Sequence, residues 1–234
     1  MINGINSREM ILEILLEIEE GEHSHVAIRN ALSKYQFLPK QDRAFITRVC
    51  EGTLEYRIQI DYIINSFSKV TVDKMKPAIR EILRSAVYQL KYMDSVPDSA
   101  VCNEAVKLAQ RKGFYNLKPF VNGVLRTIAR EMDQVRFPQK EDDLLKYLSV
   151  KYSMPEVLVT RWLEAYGEET TEKILADFLT EHPLTIRCRT YLNSKEEIVK
   201  SLESQGVHVA PAPYLSYAYS ISEFNHILAL DAFI

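Results

Sequence analysis

Apolar residues recur at spacings of three and four through most of the first 135 residues, and no sustained segment there alternates apolar and polar side chains. This is the periodicity of α-helices that bury one face. The strongest helix is expected to begin at Asp73, with an apolar stripe formed by Ile79, Ile82, Leu83, Ala86, Val87 and Leu90. A chain with this pattern folds as a helical bundle, so we predict six or seven helices for this part.

The later part of the chain has a different pattern. Helical segments near 142–151, 155–166 and 169–181 are followed by alternation over 184–189, which indicates a strand. A further helix is expected over 194–205, and short strands near Val207–Val209 and 217–221. The fold class is therefore mostly α, with a helical bundle followed by a small α+β subdomain.

Charge separates the two parts. Residues 1–140 carry 21 Lys and Arg against 17 Asp and Glu, while residues 141–234 carry 8 against 15, giving +4 and −7 and together the net charge of −3. The change of sign falls at a turn-rich stretch, Arg136–Lys140. We therefore predict a domain over 1–137 and a second over 138–234.

Several classes of protein are excluded by absent patterns. No apolar run approaches the roughly 20 residues that span a bilayer, and no secretory signal precedes the first helix, so we expect a cytoplasmic protein without a membrane partner. The closest glycines are ten positions apart, which leaves no GxGxxG turn or P-loop. The three cysteines are widely spaced and predict reduced thiols. We find no catalytic, cofactor-binding or metal-binding constellation.

The segment from Ala105 to Arg130 contains cations and no acidic residue. Cations four positions apart share a helix face and can reach neighbouring phosphates. Phe114 and Tyr115 lie between the two helices, where an aromatic ring can stack on an unpaired base. An ordinary solvated face, with Phe114 in the core, is the alternative. The RNA-binding candidates are Lys107, Arg111, Lys112, Lys118, Arg126 and Arg130, with Arg80 and Arg84 as additional candidates.

The last eight residues, 227–234, are predominantly apolar. Exposed apolar side chains are unfavourable, so these residues either pack back onto the second part or meet further chain. We expect the natural protein to continue past Ile234.

Ordered motifs along the first part resemble the NusB-like domain. They are Asp42-Arg43-Ala44-Phe45, Glu51-Gly52-Thr53-Leu54, the run from Ile82 to Leu90, Val96-Pro97, Asn103-Glu104-Ala105-Val106 and the run from Phe120 to Arg126. The resemblance covers about residues 1–135 and implies a helical RNA-binding domain that can form homodimers.

The following segment is similar to the linker region of the bacterial RsmB (Sun) methyltransferases. The similarity lies in 147–155, Trp162-Leu163 and 183–187. That family joins a NusB-like domain to a small RNA-recognition subdomain and a Rossmann-like catalytic domain. It methylates C5 of a cytosine in small-subunit ribosomal RNA with S-adenosylmethionine. The resemblance thus implies ribosomal RNA as partner.

The family's catalytic cysteines are not found in this chain. One of the family's motifs contains Pro-Cys, whereas Cys50 and Cys102 follow valine and Cys188 follows arginine. We therefore expect the RNA-binding N-terminal part of a ribosomal RNA cytosine-C5 methyltransferase, inactive alone, with a missing C-terminal domain that uses S-adenosylmethionine. The alternative is a NusB-like module of transcription antitermination that binds protein partners.

Overall fold

The computed structural model describes residues 6–35, 38–224 and 227–233. They form two compact units that divide between Phe178 and Leu179. This division lies later in the chain than the predicted domain boundary at 137/138, which stays a prediction.

The first unit is helical over its described residues, which confirms the predicted bundle. Short 3-10 turns follow α4, α6 and α7. The helices are α1 (Ser7–Glu19), α2 (Ser24–Lys34), α3 (Lys40–Glu55), α4 (Arg57–Phe67), α5 (Pro77–Tyr92), α6 (Asp98–Arg111), α7 (Lys118–Glu131), α8 (Leu144–Lys151) and α9 (Glu156–Phe178). Within α9 the backbone is not helical at Gly167, where φ is 73°.

Helix α5 lies at the centre of this unit. It packs against α1, α3, α4, α6 and α7. Its predicted stripe is buried from Ile79 to Val87, and Leu90 is partly buried. Burial of each such aliphatic side chain contributes about 1.5–3 kcal/mol. The bundle is therefore organised around α5, the helix whose apolar stripe was the strongest in the sequence.

The start of α5 corrects the sequence prediction. The helix begins at Pro77, and Asp73 lies instead in a separate 3-10 turn, Val72–Lys74. Proline suits the first helical position because that residue needs no hydrogen bond from its nitrogen. It also disfavours helical geometry in the preceding residue, and Lys76 is accordingly extended.

Gly52 provides a close contact between α3 and α5. A Cβ atom built at this position would overlap the aromatic ring of Tyr88, which is buried. Gly52 has ordinary helical backbone geometry. Glycine is required here because the ring of Tyr88 leaves no room for a side chain.

Polar contacts link α8 and the turn after it to α4, within the first unit. Gln59 donates from Nε2 to the carbonyls of Val150 and Lys151, each at 3.1 Å. The backbone nitrogen of Ile58 donates to Ser153 Oγ at 3.0 Å. The first unit thus continues past the predicted boundary at 137/138, as far as Phe178.

The second unit is the predicted small α+β fold. It contains β1 (Leu184–Arg187), α10 (Lys195–Ser204), β2 (His208–Pro211) and β3 (Ala218–Ser222). The antiparallel sheet has the order β1-β3-β2, with Arg187 opposite Ala218 and Pro211 opposite Tyr219. A small core is made by Leu202, Val207, Ile221 and Leu230.

Leu230 shows that part of the apolar end of the chain packs back onto the second unit. Ile234, the residue past which we expected further chain, lies outside the described residues. No helix in the described ranges is long and apolar enough to cross a membrane. Cys50, Cys102 and Cys188 are free and buried.

Candidate nucleic-acid interface

The cation-rich segment forms an α-helical hairpin of α6 and α7. Its apolar residues face the core, with Leu108 and Ala109 buried on α6 and Val121 and Leu125 buried on α7. The amphipathic pattern therefore turns the basic side chains outward. We call the face carrying Lys107, Lys118, Arg126, Arg130 and the exposed Tyr115 the α6–α7 surface.

Arg126 is the cation of this surface with amide partners. It is exposed, and its guanidinium donates to Asn122 Oδ1 at 2.8 Å and Asn103 Oδ1 at 3.4 Å. These amides orient the group without neutralising its charge. Lys118 is partly exposed and has no ion-pair partner in the part of the chain that the structure describes. Both cations are available for an anion.

Lys107 and Arg130 form exposed ion pairs with neighbours on their own helices. Lys107 Nζ lies 2.7 Å from Glu104 Oε1, and Arg130 Nη2 lies 2.6 Å from Glu131 Oε1. Their side chains are 60% and 69% exposed. Such surface pairs contribute only about 0–1 kcal/mol, so an RNA phosphate can displace the carboxylate.

Lys112 and Arg111 instead contact acidic residues of α1. Lys112 Nζ lies 3.2 Å from Glu9 Oε1 and 3.0 Å from Glu13 Oε1, and Arg111 Nη1 lies 4.0 Å from Glu9 Oε2. Burial opposes the charged form of Lys112, but the hydrogen bonds to Glu13 and Glu9 outweigh it and raise the pKa of this amine. Residues 105–130 contain no acidic residue, but in the folded chain two of their cations contact Glu9 and Glu13 of α1.

Arg84 is placed inside the fold. Its guanidinium contacts Asp61 and also donates from Nη1 to Glu81 Oε1 at 2.6 Å, and its side chain is 11% exposed. Burial raises the pKa of the Glu81 carboxyl, while the Arg84 charge opposes this rise. This group joins α4 to α5, and we assign Arg84 a structural role.

Arg80 is similarly engaged. It forms an ion pair with Glu19 of α1 and donates to the carbonyl of Val72 at 3.1 Å, with its side chain 15% exposed. The structure thus separates the two additional candidates, Arg80 and Arg84, from the α6–α7 surface. Sequence reasoning missed this because Arg80 pairs with Glu19 on α1 and Arg84 pairs with Asp61 on α4, and pairing between helices has no local signal in the sequence.

The two aromatic residues between α6 and α7 have different environments. Phe114 is partly buried against the core, and Lys76 Nζ lies 5.4 Å from the centre of its ring. Tyr115 is 60% exposed in the 3-10 turn Tyr115–Leu117. Phe114 therefore packs against the core, as the alternative interpretation expected. Tyr115 is the ring that is exposed and can stack on a base.

The cysteines are unsuited to nucleophilic chemistry in this chain. Burial raises the pKa of the Cys50, Cys102 and Cys188 thiols, which disfavours the reactive thiolate. Among the described residues, no three His, Cys, Asp or Glu side chains are grouped so as to hold a metal ion.

Two family models match the chain. The NusB family matches residues 5–130, which is more than half of it. The chain belongs to the NusB family. After this NusB-family region, a Methyltr_RsmF/B-like, ferredoxin-like domain matches residues 154–227. The order of the two matches confirms the resemblance that the motifs indicated.

Two kinds of known protein are similar to this NusB-family chain. The first is the probable ribosomal RNA small subunit methyltransferase B of Bacillus subtilis (strain 168), 32% identical over 202 residues, which cover 86% of this chain and 44% of that protein. The corresponding Synechocystis protein is 31% identical over 199 residues, with 85% and 44% covered. The chain therefore spans less than half the length of these relatives.

The second kind is the transcription antitermination protein NusB. The Dictyoglomus thermophilum protein is 33% identical over 130 residues, covering 55% of this chain and 85% of that protein. Among solved structures, the crystal structure of PH0851 has a TM-score of 0.69 at 22% identity and covers 98% of this chain and 52% of its own. That likeness extends over both units and concerns the fold.

Proposed function

We propose that this chain is the RNA-binding part of a small-subunit ribosomal RNA (cytosine-C5) methyltransferase and is inactive alone. The observation that carries the proposal is the succession of a NusB-family region and an RsmF/B-like domain, in a chain 32% identical to a probable methyltransferase of this class. In this proposal residues 1–137 hold the RNA and residues 138–234 lead into the methyltransferase domain.

The methyl donor is expected to bind elsewhere in the full-length protein. S-adenosylmethionine would supply the methyl group there. This chain offers no glycine-rich cradle for it, because the closest glycines are ten positions apart. Its thiols are buried, and burial raises their pKa. We therefore assign this chain's residues to binding and orienting RNA and derive no chemical step from them.

The α6–α7 surface provides the proposed contact with RNA. Lys107, Arg126 and Arg130 are exposed cations on two adjacent helices, and Lys118 lies at the start of α7. Binding of such groups to phosphates releases counterions, so affinity falls as salt rises. Tyr115 adds a ring on which an unpaired base can stack. The surface is thus suited to a hairpin with a short single-stranded loop.

The experiment is a titration of the 234-residue chain with labelled RNA at two salt concentrations. We expect a hairpin from the small-subunit ribosomal RNA to bind more tightly at the lower salt concentration. We expect no methyl transfer from labelled S-adenosylmethionine to that hairpin. Absence of RNA binding at the lower salt concentration would contradict the proposed RNA role. Robust methyl transfer would contradict the assignment as an inactive part.

The second candidate function is a protein-interaction module of transcription antitermination. It is favoured by the 33% identity to a NusB protein over 130 residues. It predicts a stable complex with transcription factors and little dependence on the cations of the α6–α7 surface. Analytical ultracentrifugation of the chain alone and with candidate proteins would separate such a complex from the homodimer that a NusB-like domain can form.

A further inference from the structure

Arg126 is held in place by neutral side chains from two helices. Its Nε donates to Asn122 Oδ1 at 2.8 Å, and its Nη2 donates to Asn103 Oδ1 at 3.4 Å. Asn122 lies four residues before Arg126 on α7, whereas Asn103 lies on α6, which packs against α7. The guanidinium is therefore fixed from two directions while its side chain stays exposed.

Other arginines of the first unit bond the same two nitrogens to carboxylates. Arg84 donates from Nε and Nη2 to the two oxygens of Asp61. Arg130 donates from Nε and Nη2 to Glu131 Oε1. A carboxylate neutralises the guanidinium that it holds, whereas an amide oxygen holds the group and leaves its positive charge. Arg126 has no ion-pair partner in the described part of the chain, so the two amides orient a full charge.

The two amide contacts leave one edge of this guanidinium open. A guanidinium carries coplanar N–H groups on Nε, Nη1 and Nη2. The N–H of Nε and the neighbouring N–H of Nη2 bond to the asparagines, so the parallel N–H groups of Nη1 and Nη2 on the other edge have no partner among the described residues. Two parallel N–H groups match two oxygens of a phosphate, which is the bidentate geometry that arginine forms with this group.

The ligand that best fits the open edge is a phosphodiester of paired RNA. A guanine base also offers two acceptors on one edge. In an A-form stem, however, that edge lies in a deep and narrow groove that side chains cannot read, whereas the phosphates lie on the outside. Arg126 is on an exposed helix face, and Arg130 is one helical turn further along α7. Cations repeated in this way suit successive phosphates of one strand.

We propose that Asn103 and Asn122 are positioning residues that hold Arg126 for bidentate binding of an RNA phosphate. A long side chain that is already ordered loses less conformational freedom when it binds, so the asparagines raise affinity without contacting RNA. The inference rests on the proposed RNA role of the chain and adds the chemistry of one contact. Arg126→Lys keeps the charge but lacks the planar fork, so it is expected to weaken binding and retain the salt dependence.

The test is fluorescence anisotropy of a labelled small-subunit ribosomal RNA hairpin with the complete 234-residue chain. Asn122→Ala is expected to weaken binding about 3- to 10-fold and to leave the salt slope unchanged, because no charge is altered. Asn103→Ala is expected to have a smaller effect, since its bond to Arg126 is longer. Asn30→Ala changes an exposed asparagine of α2 and is the control, with no expected loss of affinity.

A double-mutant cycle separates positioning from a direct contact with RNA. If Asn122 acts through Arg126, Asn122→Ala has no further effect on affinity in the Arg126→Ala protein. Asn122→Asp keeps an acceptor at the same place but adds a negative charge beside Arg126. It is expected to weaken binding more than Asn122→Ala does and to lower the salt slope by about one unit. Its thermal stability is expected to be retained, since opposite charges four residues apart stabilise a helix.

Full affinity in Asn122→Ala or in Arg126→Lys, or additive effects in the cycle, would each overturn the inference. A loss confined to hairpins with guanine at one position would also overturn it, because a lost phosphate contact weakens binding uniformly across RNA sequences. A wild-type chain that does not bind the hairpin would contradict the proposed function instead. Binding by the wild-type chain together with any of the first results contradicts the positioning role alone.

Discussion

Arg84 of α5 holds Asp61 of α4 through two parallel hydrogen bonds, 2.7 Å from Nε to Oδ1 and 2.6 Å from Nη2 to Oδ2. The same guanidinium contacts Glu81, whose side chain is 5% exposed. We expect Arg84→Met to cost about 3–5 kcal/mol of unfolding free energy, because it leaves a buried carboxylate without its partner.

Urea unfolding followed by the fluorescence of Trp162, the single tryptophan, measures this loss. Lys107→Met is the matched control, because its ion pair with Glu104 is exposed and contributes only about 0–1 kcal/mol. An Arg84→Met protein of unchanged stability with impaired RNA binding would show that the assignment of Arg84 to the fold is wrong.

Gly52→Ala is expected to destabilise the first unit by about 1–3 kcal/mol, since the added methyl group overlaps the buried ring of Tyr88. Gly123→Ala is the control, because its methyl group meets no atom within 4 Å. In that helix an alanine is expected to stabilise the protein by up to about 1 kcal/mol. Thermal unfolding of both variants gives the comparison, and equal effects would argue against the close contact.

Substitutions of two cations of the α6–α7 hairpin are expected to have different effects, one on RNA binding and the other on stability. Arg126 is bound only by amides in the described residues, so Arg126→Ala is expected to weaken RNA binding several-fold and leave unfolding unchanged. Lys112 links α6 to Glu9 and Glu13, so Lys112→Ala is expected to lower stability by up to about 1 kcal/mol. Anisotropy titrations and urea unfolding on both variants test this, and the reverse pattern would contradict the assignment.

The packing of α8 on α9 is expected to weaken in acid. Glu172 accepts hydrogen bonds from Lys151 Nζ at 2.9 Å and Tyr152 OH at 3.0 Å, and the bond from Lys151 is the main reason that the pKa of this carboxyl lies below its usual 4.5. The charged form therefore stabilises the fold above about pH 4.5, and this contribution is lost as pH falls through the folded-state pKa.

Glu172→Gln removes that titration. Unfolding midpoints measured between about pH 3 and 6 should fall less steeply in the variant than in the wild-type protein. Lys173→Gln alters a fully solvated pair with Glu169 on the same helix and is the control. Parallel pH profiles for the wild-type and Glu172→Gln proteins would contradict this role of Glu172.

The helical architecture could be predicted because periodicity is a local property. The stripe on α5 and the α+β nature of the second unit both follow from residues close in sequence. The predicted start of α5 at Asp73 was wrong because Pro77 disfavours helical geometry in Lys76, so the helix begins at Pro77.

The composition of the α6–α7 surface could be predicted only in part. Lys107, Arg126 and Arg130 are exposed as their spacing suggested. The pairing of Lys112 with Glu13, which is 99 positions away, depends on how α1 packs beside α6 and has no local signal. Likewise, neighbouring Phe114 and Tyr115 differ in burial because the turn between the helices directs one ring to the core.

The central claim is tested most directly by reversing the charge of the α6–α7 surface. The variant Lys107→Glu/Arg126→Glu/Arg130→Glu is compared with Lys34→Glu/Lys146→Glu/Lys173→Glu, which changes the net charge equally. Binding of a small-subunit ribosomal RNA hairpin is measured across a salt series. We predict that the first variant loses at least ~10-fold in affinity and about one unit of salt slope per residue, while the second stays near wild type. Equal affinities for the two variants would contradict the claim.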